Sequence, residues 1–297
     1  MTTIRKDEQL IFIINDEQAG QTVREFLQGY HLSRKKIHEM YMNKKVRLNG
    51  NSVSFETILH ASDELAIALF EEEEIDFLPQ KMPLEIIYED DHLLIINKPA
   101  GLMVHPDQKD GKGTLANGVA YYYERRGMKH RVRYIHRLDT ETSGGIIFAK
   151  TYLAHSLLDY WLSEKKIRRW YVALVSGTLK TKKGKIDAPI GRDRHHGARR
   201  RVSSKGDRAL TYYQLKRQYQ GYALVELELK TGRTHQIRVH MSYLGHPLLG
   251  DVLYGGAKDK MKRLALHSAR IEMLHPITRE PLMLHIPIPN DMKRWIK

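Results

Sequence analysis

Three segments of this sequence bring together the residue types needed for a charged nucleophile with an aromatic neighbour. The first is Arg131–Lys150, RVRYIHRLDTETSGGIIFAK, in which Asp139 follows Arg137 within a polar turn that feeds the apolar run Ile146–Ala149. Core packing explains a lone aspartate among Thr140, Thr142 and Ser143 poorly. A reactive group at the lip of a sheet explains it well, because rigid elements keep a site's geometry. Gly144 and Gly145 leave room for other backbone to come close. The second segment, Arg169–Gly177, is an expected strand with Tyr171 near its start. In the third, Thr231–His240, Thr234 is expected to cap a helix with the stripe Ile237, Met241 and Leu244, ending at Gly245. Arg233 then stands at a helix N-terminus, where the backbone already favours negative charge. It is the expected partner that keeps Asp139 ionised and oriented, as a nucleophile must be.

Each of these residues also has a plainer explanation. Asp139 could cap a turn, Tyr171 could be a core aromatic, and Arg233 could form a surface ion pair. For these three the functional role is favoured; Ile237 is as readily core as pocket wall. His235 and His240 are five apart, which does not suit metal binding on one helix face, and His195-His196 reads as an exposed loop contact. No metal site is expected.

The chain has 297 residues, 41% hydrophobic and 28% charged, with a formal net charge of +14. That composition suits a folded protein with a sizeable core. The positive excess favours a polyanionic partner, nucleic acid ahead of an acidic membrane face. No apolar run reaches the length of a spanning helix, and the start lacks a signal-peptide core. There is no cysteine, which excludes disulfides and thiolate metal sites. A cytoplasmic monomer is the expectation.

Residues 1–75 are expected to form a separate module. Val23, Phe26 and Leu27, then Ile37, Met40 and Tyr41, recur at helical spacing, with Ser33 as N-cap of the second helix. Arg34, Lys35 and Lys36 crowd that helix's first turn against its dipole, which points to an RNA phosphate backbone. Lys45–Asn51 is expected as a strand entering an Asn-Gly turn. The acidic run Phe70–Asp76 is expected to be a solvated face or linker, and 76–83 to be a linker. From residue 84 to 297, hairpins alternate with helices: strands at Glu85–Tyr88, Leu93–Ile96, Trp170–Val175, Ala209–Gln218 and Tyr222–Lys230, helices at Leu115–Tyr123 and Tyr152–Lys165. That order implies an α+β domain with a mixed sheet. The basic stretch Arg192–Arg201, with Arg199, Arg200 and Arg201 at its end, is expected as an exposed loop or hairpin that meets RNA phosphates.

His136-Arg137-Leu138-Asp139 followed by Thr142-Ser143-Gly144, together with Asn97–Gly101, Val104–Pro106, the Tyr171 strand, Thr231–His240, Leu266–Ala269 and His275-Pro276, closely resembles the RluA/RluD-type pseudouridine synthases. The resemblance covers residue 84 to the C-terminus and implies their mainly antiparallel fold. It implies a catalytic Asp139 that attacks a target uridine while the glycosidic bond is remade from N1 to C5, with no cofactor. Arg137 would fill the gap left by the flipped base, Tyr171 would carry the uracil and is the candidate for proton transfer at C5, and Arg233 and Ile237 would line the pocket. The resemblance makes large-subunit ribosomal RNA the leading substrate, with transfer RNA as an alternative. Residues 1–75 resemble the S-four-type RNA-binding domain through Ser33-Arg34 and Val46–Gly50, although Asn43-Lys44-Lys45 stands where that motif usually has a glycine. Two other functions fit less well: a non-catalytic RNA-binding or ribosome-assembly factor, and a nuclease that uses His136 or His235.

Overall fold

A computed structural model describes residues 2–108, 110–257 and 261–296. The N-terminal part opens with a hairpin of β1 (Thr2–Lys6) and β2 (Gln9–Ile13). Two helices follow, α1 (Val23–Gln28) and α2 (Arg34–Met42), then β3 (Val46–Leu48), β4 (Asn51–Ser52) and β5 (Glu64–Ala68). The five strands form one sheet in the order β1-β2-β5-β3-β4. Helix α1 begins with a reciprocal cap between Thr22 and Glu25, and Ser33 Oγ accepts from the Lys36 amide at 3.1 Å to start α2. Asn49 and Gly50 both take positive φ, the geometry an Asn-Gly hairpin turn requires. The expected stripe residues Val23, Phe26, Leu27, Ile37 and Met40 are buried. Tyr41 is not: it is exposed, with its ring edge-on to Phe55.

The acidic run is irregular and partly solvated, with Glu72 and Glu74 exposed, but it is also ion-paired. Glu71 pairs with Lys45, Glu72 with Lys129, Glu73 with Arg133 and Asp76 with Arg131. The run has no regular structure, and opposite charge on the 129–133 segment holds most of it in place.

The remaining elements are β6 (Glu85–Glu89), β7 (Leu93–Lys98), α3 (Leu115–Arg125), β8 (Arg133–Tyr134), β9 (Ser143–Ala149) and α4 (Tyr152–Ser163). Then come β10 (Arg168–Ser176), β11 (Lys183–Asp187), β12 (Ile190–Arg192), β13 (Arg200–Val202), β14 (Leu210–Tyr219) and β15 (Tyr222–Leu229). The chain closes with α5 (Gln236–Tyr243), β16 (Leu266–Leu274), β17 (Pro281–His285) and α6 (Asn290–Lys293). A large sheet runs β11-β14-β15-β10-β16-β9-β7-β6, with β17 added to β16 and β8 to β9. Every pairing in it is antiparallel except β16 with β9, which is parallel. The class is therefore α+β with a mixed, mainly antiparallel sheet, as the sequence implies.

The parallel seam explains Gly144. Its φ is +114°, and a Cβ there would lie 2.3 Å from the Ser268 carbonyl oxygen, so a side chain would separate β9 from β16. Strand β9 is buried along its whole length and carries Asp139 on the turn just before it. The two sheets are distinct, yet one apolar cluster runs from α1 and α2 into α4. Polar contacts reinforce it: the Tyr152 hydroxyl donates to Ala68 O at 3.3 Å, and the His31 ring stacks on Tyr160.

Candidate active site

The loop that presents Asp139 is fixed from below. Lys98, wholly buried at the end of β7, donates from Nζ to the carbonyls of Pro99, Leu102 and Thr140 at 2.9, 2.7 and 3.0 Å. Burial lowers its pKa to about 8. The Gly101 amide donates to the same Thr140 carbonyl, and the Thr142 amide closes the turn onto Asp139 O. Those bonds hold residues 139–142 at the mouth of a cleft of about 1020 Å³. Arg137, Asp139, Tyr171, Arg233 and Ile237 all line it.

Within the cleft the partner of Asp139 is Arg238, not Arg233. Arg238 Nη1 donates to Asp139 Oδ2 at 3.3 Å. Its Nε and Nη2 donate to Asp251 at 2.8 and 2.9 Å, a two-pronged grip by a buried carboxylate. Burial works against the Arg238 charge, but Asp251 and then Asp139 more than offset it and raise its pKa. Arg233 is exposed at the rim, with Nε donating to Arg208 O at 3.1 Å. The difference follows from where α5 begins. Thr234 does not cap it; His235 does, in the left-handed conformation at φ 58°, so the helix starts at Gln236 and Arg238 falls in its first turn. Gln236 secures the preceding turn, its Oε1 accepting from the Arg233 amide and the Thr231 hydroxyl. Of the expected α5 stripe, Ile237 and Met241 are buried and Leu244 is exposed.

His235 faces the same carboxylate, with Nε2 3.9 Å from Asp139 Oδ2 and Nδ1 2.8 Å from the Tyr254 hydroxyl. That hydroxyl accepts from the Arg200 amide, and the Tyr254 ring lies under the Arg238 guanidinium. His240 is turned away and buried, bonded to Thr211 and Ala188. Tyr171 is buried in the same apolar cluster as Leu138 and Ile237, and burial raises its pKa, so its hydroxyl stays protonated at neutral pH. Arg137 is exposed at the lip, with Nη1 3.4 Å from His105 Nε2. The arrangement is an oriented carboxylate above an aromatic floor, open to solvent and flanked by cations.

Residues 92–243 match the family model described as RNA pseudouridylate synthase. This chain belongs to that family. Its members are isomerases that act on RNA. Residues 10–65 match the model of the RluD ribosomal pseudouridine synthase N-terminal domain. The chain is 44% identical over 292 residues to an uncharacterized RNA pseudouridine synthase of Bacillus subtilis, covering 97% of each. It is 35% identical to the ribosomal large subunit pseudouridine synthase D of Xanthomonas campestris, over 95% of this chain and 90% of that protein. Among solved structures, human RNA pseudouridylate synthase domain containing 1 superposes with a TM-score of 0.59 at 28% identity, covering 71% of this chain and 86% of that one.

The basic residues expected to meet RNA in this synthase divide by exposure. Arg34 and Lys35 project freely from α2. Lys36 is partly committed elsewhere: it pairs with Glu39 at 2.8 Å and lies over the Tyr152 ring. Strands β12 and β13 form the expected basic hairpin. Arg201 is exposed on it, Arg200 is half-buried, and Arg199 lies across the Tyr254 ring, which ties the hairpin to the cleft. No helix among the described residues is long and apolar enough to cross a membrane.

Proposed function

We propose that this synthase converts uridine to pseudouridine in large-subunit ribosomal RNA, with Asp139 as the residue that attacks the target nucleoside. The observation that carries this reading is the Asp139–Arg238–Asp251 chain at the mouth of a cleft floored by Tyr171. The relatives named as ribosomal large subunit pseudouridine synthase D favour the ribosomal substrate, since they align along nearly the whole chain.

A uridine stacked in folded RNA must be extruded before an enzyme can reach its glycosidic bond. Arg137 stands at the lip, where its flat guanidinium can enter the stack and hold phosphate. Tyr171 takes the extruded uracil, and stacking of that kind contributes about 1–3 kcal/mol per base. Asp139 then acts on the nucleoside. The N1–C1′ bond breaks, a C5–C1′ bond forms, the C5 hydrogen leaves as a proton and N1 gains one. Nothing is oxidised or reduced. Arg238 keeps one Asp139 oxygen engaged, which fixes the direction of the other. The Tyr171 hydroxyl, held neutral by burial, relays a proton at C5. The synthase works as a cytoplasmic monomer, and its N-terminal lobe adds RNA contacts through Arg34 and Lys35.

A non-catalytic assembly factor would have no use for an aspartate gripped from behind by a buried ion pair, and a nuclease would need a free, accessible histidine, whereas His136 is buried and His235 is bonded to the Tyr254 hydroxyl and faces Asp139. Mapping of pseudouridines in total RNA from cells with and without the gene tests the reading. The expected result is the loss of one or a few sites in large-subunit ribosomal RNA. An unchanged map would overturn it.

A further inference from the structure

The floor of the cleft holds a cation without a counter-ion. Arg169 is the second residue of β10 and stands two before Tyr171, so the pleat places both side chains on one face, and both line the cleft. Arg169 is only 8% exposed. Among the described residues no carboxylate pairs with it, and its Nε has no hydrogen-bond partner. Its terminal nitrogens lie beside Gly232, in the turn that forms the cleft wall.

His136, also on the cleft wall and 5% exposed, leaves both ring nitrogens unbonded. Burial first and the Arg169 charge second press its pKa down to about 3, so it is a neutral imidazole that adds no second positive charge beside Arg169. A buried guanidinium cannot shed its proton, and leaving its Nε donor unmet is costly. Such a site is built for an acceptor that arrives with the ligand.

We infer that Arg169 donates to a carbonyl oxygen of the extruded uracil and stabilises the negative charge that develops there during the isomerisation. This rests on reading the cleft as a uridine isomerase site. The charge appears whichever way Asp139 acts. If the base leaves C1′, the electron pair of the N1–C1′ bond spreads over N1, O2 and O4. If Asp139 adds at C6, the pair of the C5–C6 bond moves toward O4. In both cases the pair returns to carbon as the C5–C1′ bond forms and the C5 proton departs. Phosphate is the weaker ligand for Arg169, because the RNA backbone stays at the rim with Arg137 and Arg233. The base is the part that reaches the depth of Tyr171.

The test is single-turnover kinetics with excess enzyme and a large-subunit ribosomal RNA fragment that carries the mapped uridine. Arg169→Met is expected to lower the rate at saturation about 100-fold, the usual effect of removing one preorganised donor, while RNA affinity is unchanged. Arg169→Lys, which keeps the charge, should recover part of the rate. A second measurement needs no variant: the target is replaced by 2-thiouridine or 4-thiouridine, whose sulfur is a weaker acceptor. The wild-type enzyme should slow on one of the two, and Arg169→Met should show no further slowing on it. If Arg169→Met reacts at the wild-type rate, or loses only affinity, or if neither thio substitution slows the wild type, the inference is overturned. A wild-type enzyme that modifies no uridine would overturn the functional reading itself.

Discussion

Arg238 does two jobs at once, and they can be separated. Its guanidinium satisfies Asp251, which is nearly sealed from solvent, and it orients Asp139, which is not. Removing one member of a buried pair leaves the other charge uncompensated, at a cost of about 3–5 kcal/mol. Arg238→Met should therefore lower both the melting temperature and the isomerisation rate. Adding Asp251→Asn removes the stranded charge, so the double variant should regain much of its thermal stability and remain slow. Thermal melts and single-turnover rates measured side by side decide this; a double variant as fast as wild type would show that the Asp139–Arg238 contact is dispensable. At the bottom of the cleft Tyr171 and Ile237 share one apolar cluster, so neither can be enlarged without disturbing the other.

At the scale of elements, the periodicities told strands from helices well. The hairpin of β6 and β7, the long pair β14 and β15, and helices α3 and α4 lie within a few residues of where alternation and helical stripes place them. Asp139 stands out because a carboxylate in a Thr/Ser/Gly turn is unusual for core, whereas Tyr171 is singled out only by the family resemblance, since an aromatic on an apolar strand is ordinary core. The arginine was harder. Arg233 and Arg238 sit in the same short segment, and only the start of α5 tells them apart. That start depends on His235 adopting a left-handed conformation, which residue type does not announce, and on Gln236 bonding back to the turn. Asp251 and Tyr254 were invisible for a different reason: they come from a later loop that only the tertiary fold brings under Arg238. Arg169 could have been noticed as a cation two residues from Tyr171 on the same strand face, but its lack of a counter-ion is a property of the folded cleft. The ion pairing of the acidic run is not legible in the sequence because its partners in 129–133 lie more than fifty residues away.

For the whole molecule, the excess of cations makes RNA affinity sensitive to salt, while the buried histidines set its tolerance of acid. His92, His136 and His267 have pKa values pressed by burial to about 4, 3 and 4. An unfolded chain takes up these protons near pH 6.5, and the folded one does not until pH 3–4. Each therefore leaves stability untouched above about pH 6.5 and lowers it by about 1.4 kcal/mol per pH unit below that, until its folded pKa is reached. The melting temperature should be level from pH 8 to 6.5 and fall steeply between about 6 and 4.5; a flat profile across that interval would show that these imidazoles are not sealed off. The basic surface, the sealed interior and the cleft serve one purpose if Asp139 is the group that reacts. RNA carrying tritium at uridine C5 measures this directly, because the label reaches water only when C5 exchanges its hydrogen for the ribose. Wild-type enzyme should release tritium to the extent of its target sites, and Asp139→Asn, folded and binding RNA as before, should release none above background. Release by that variant at a rate near wild type would contradict the central role given to Asp139.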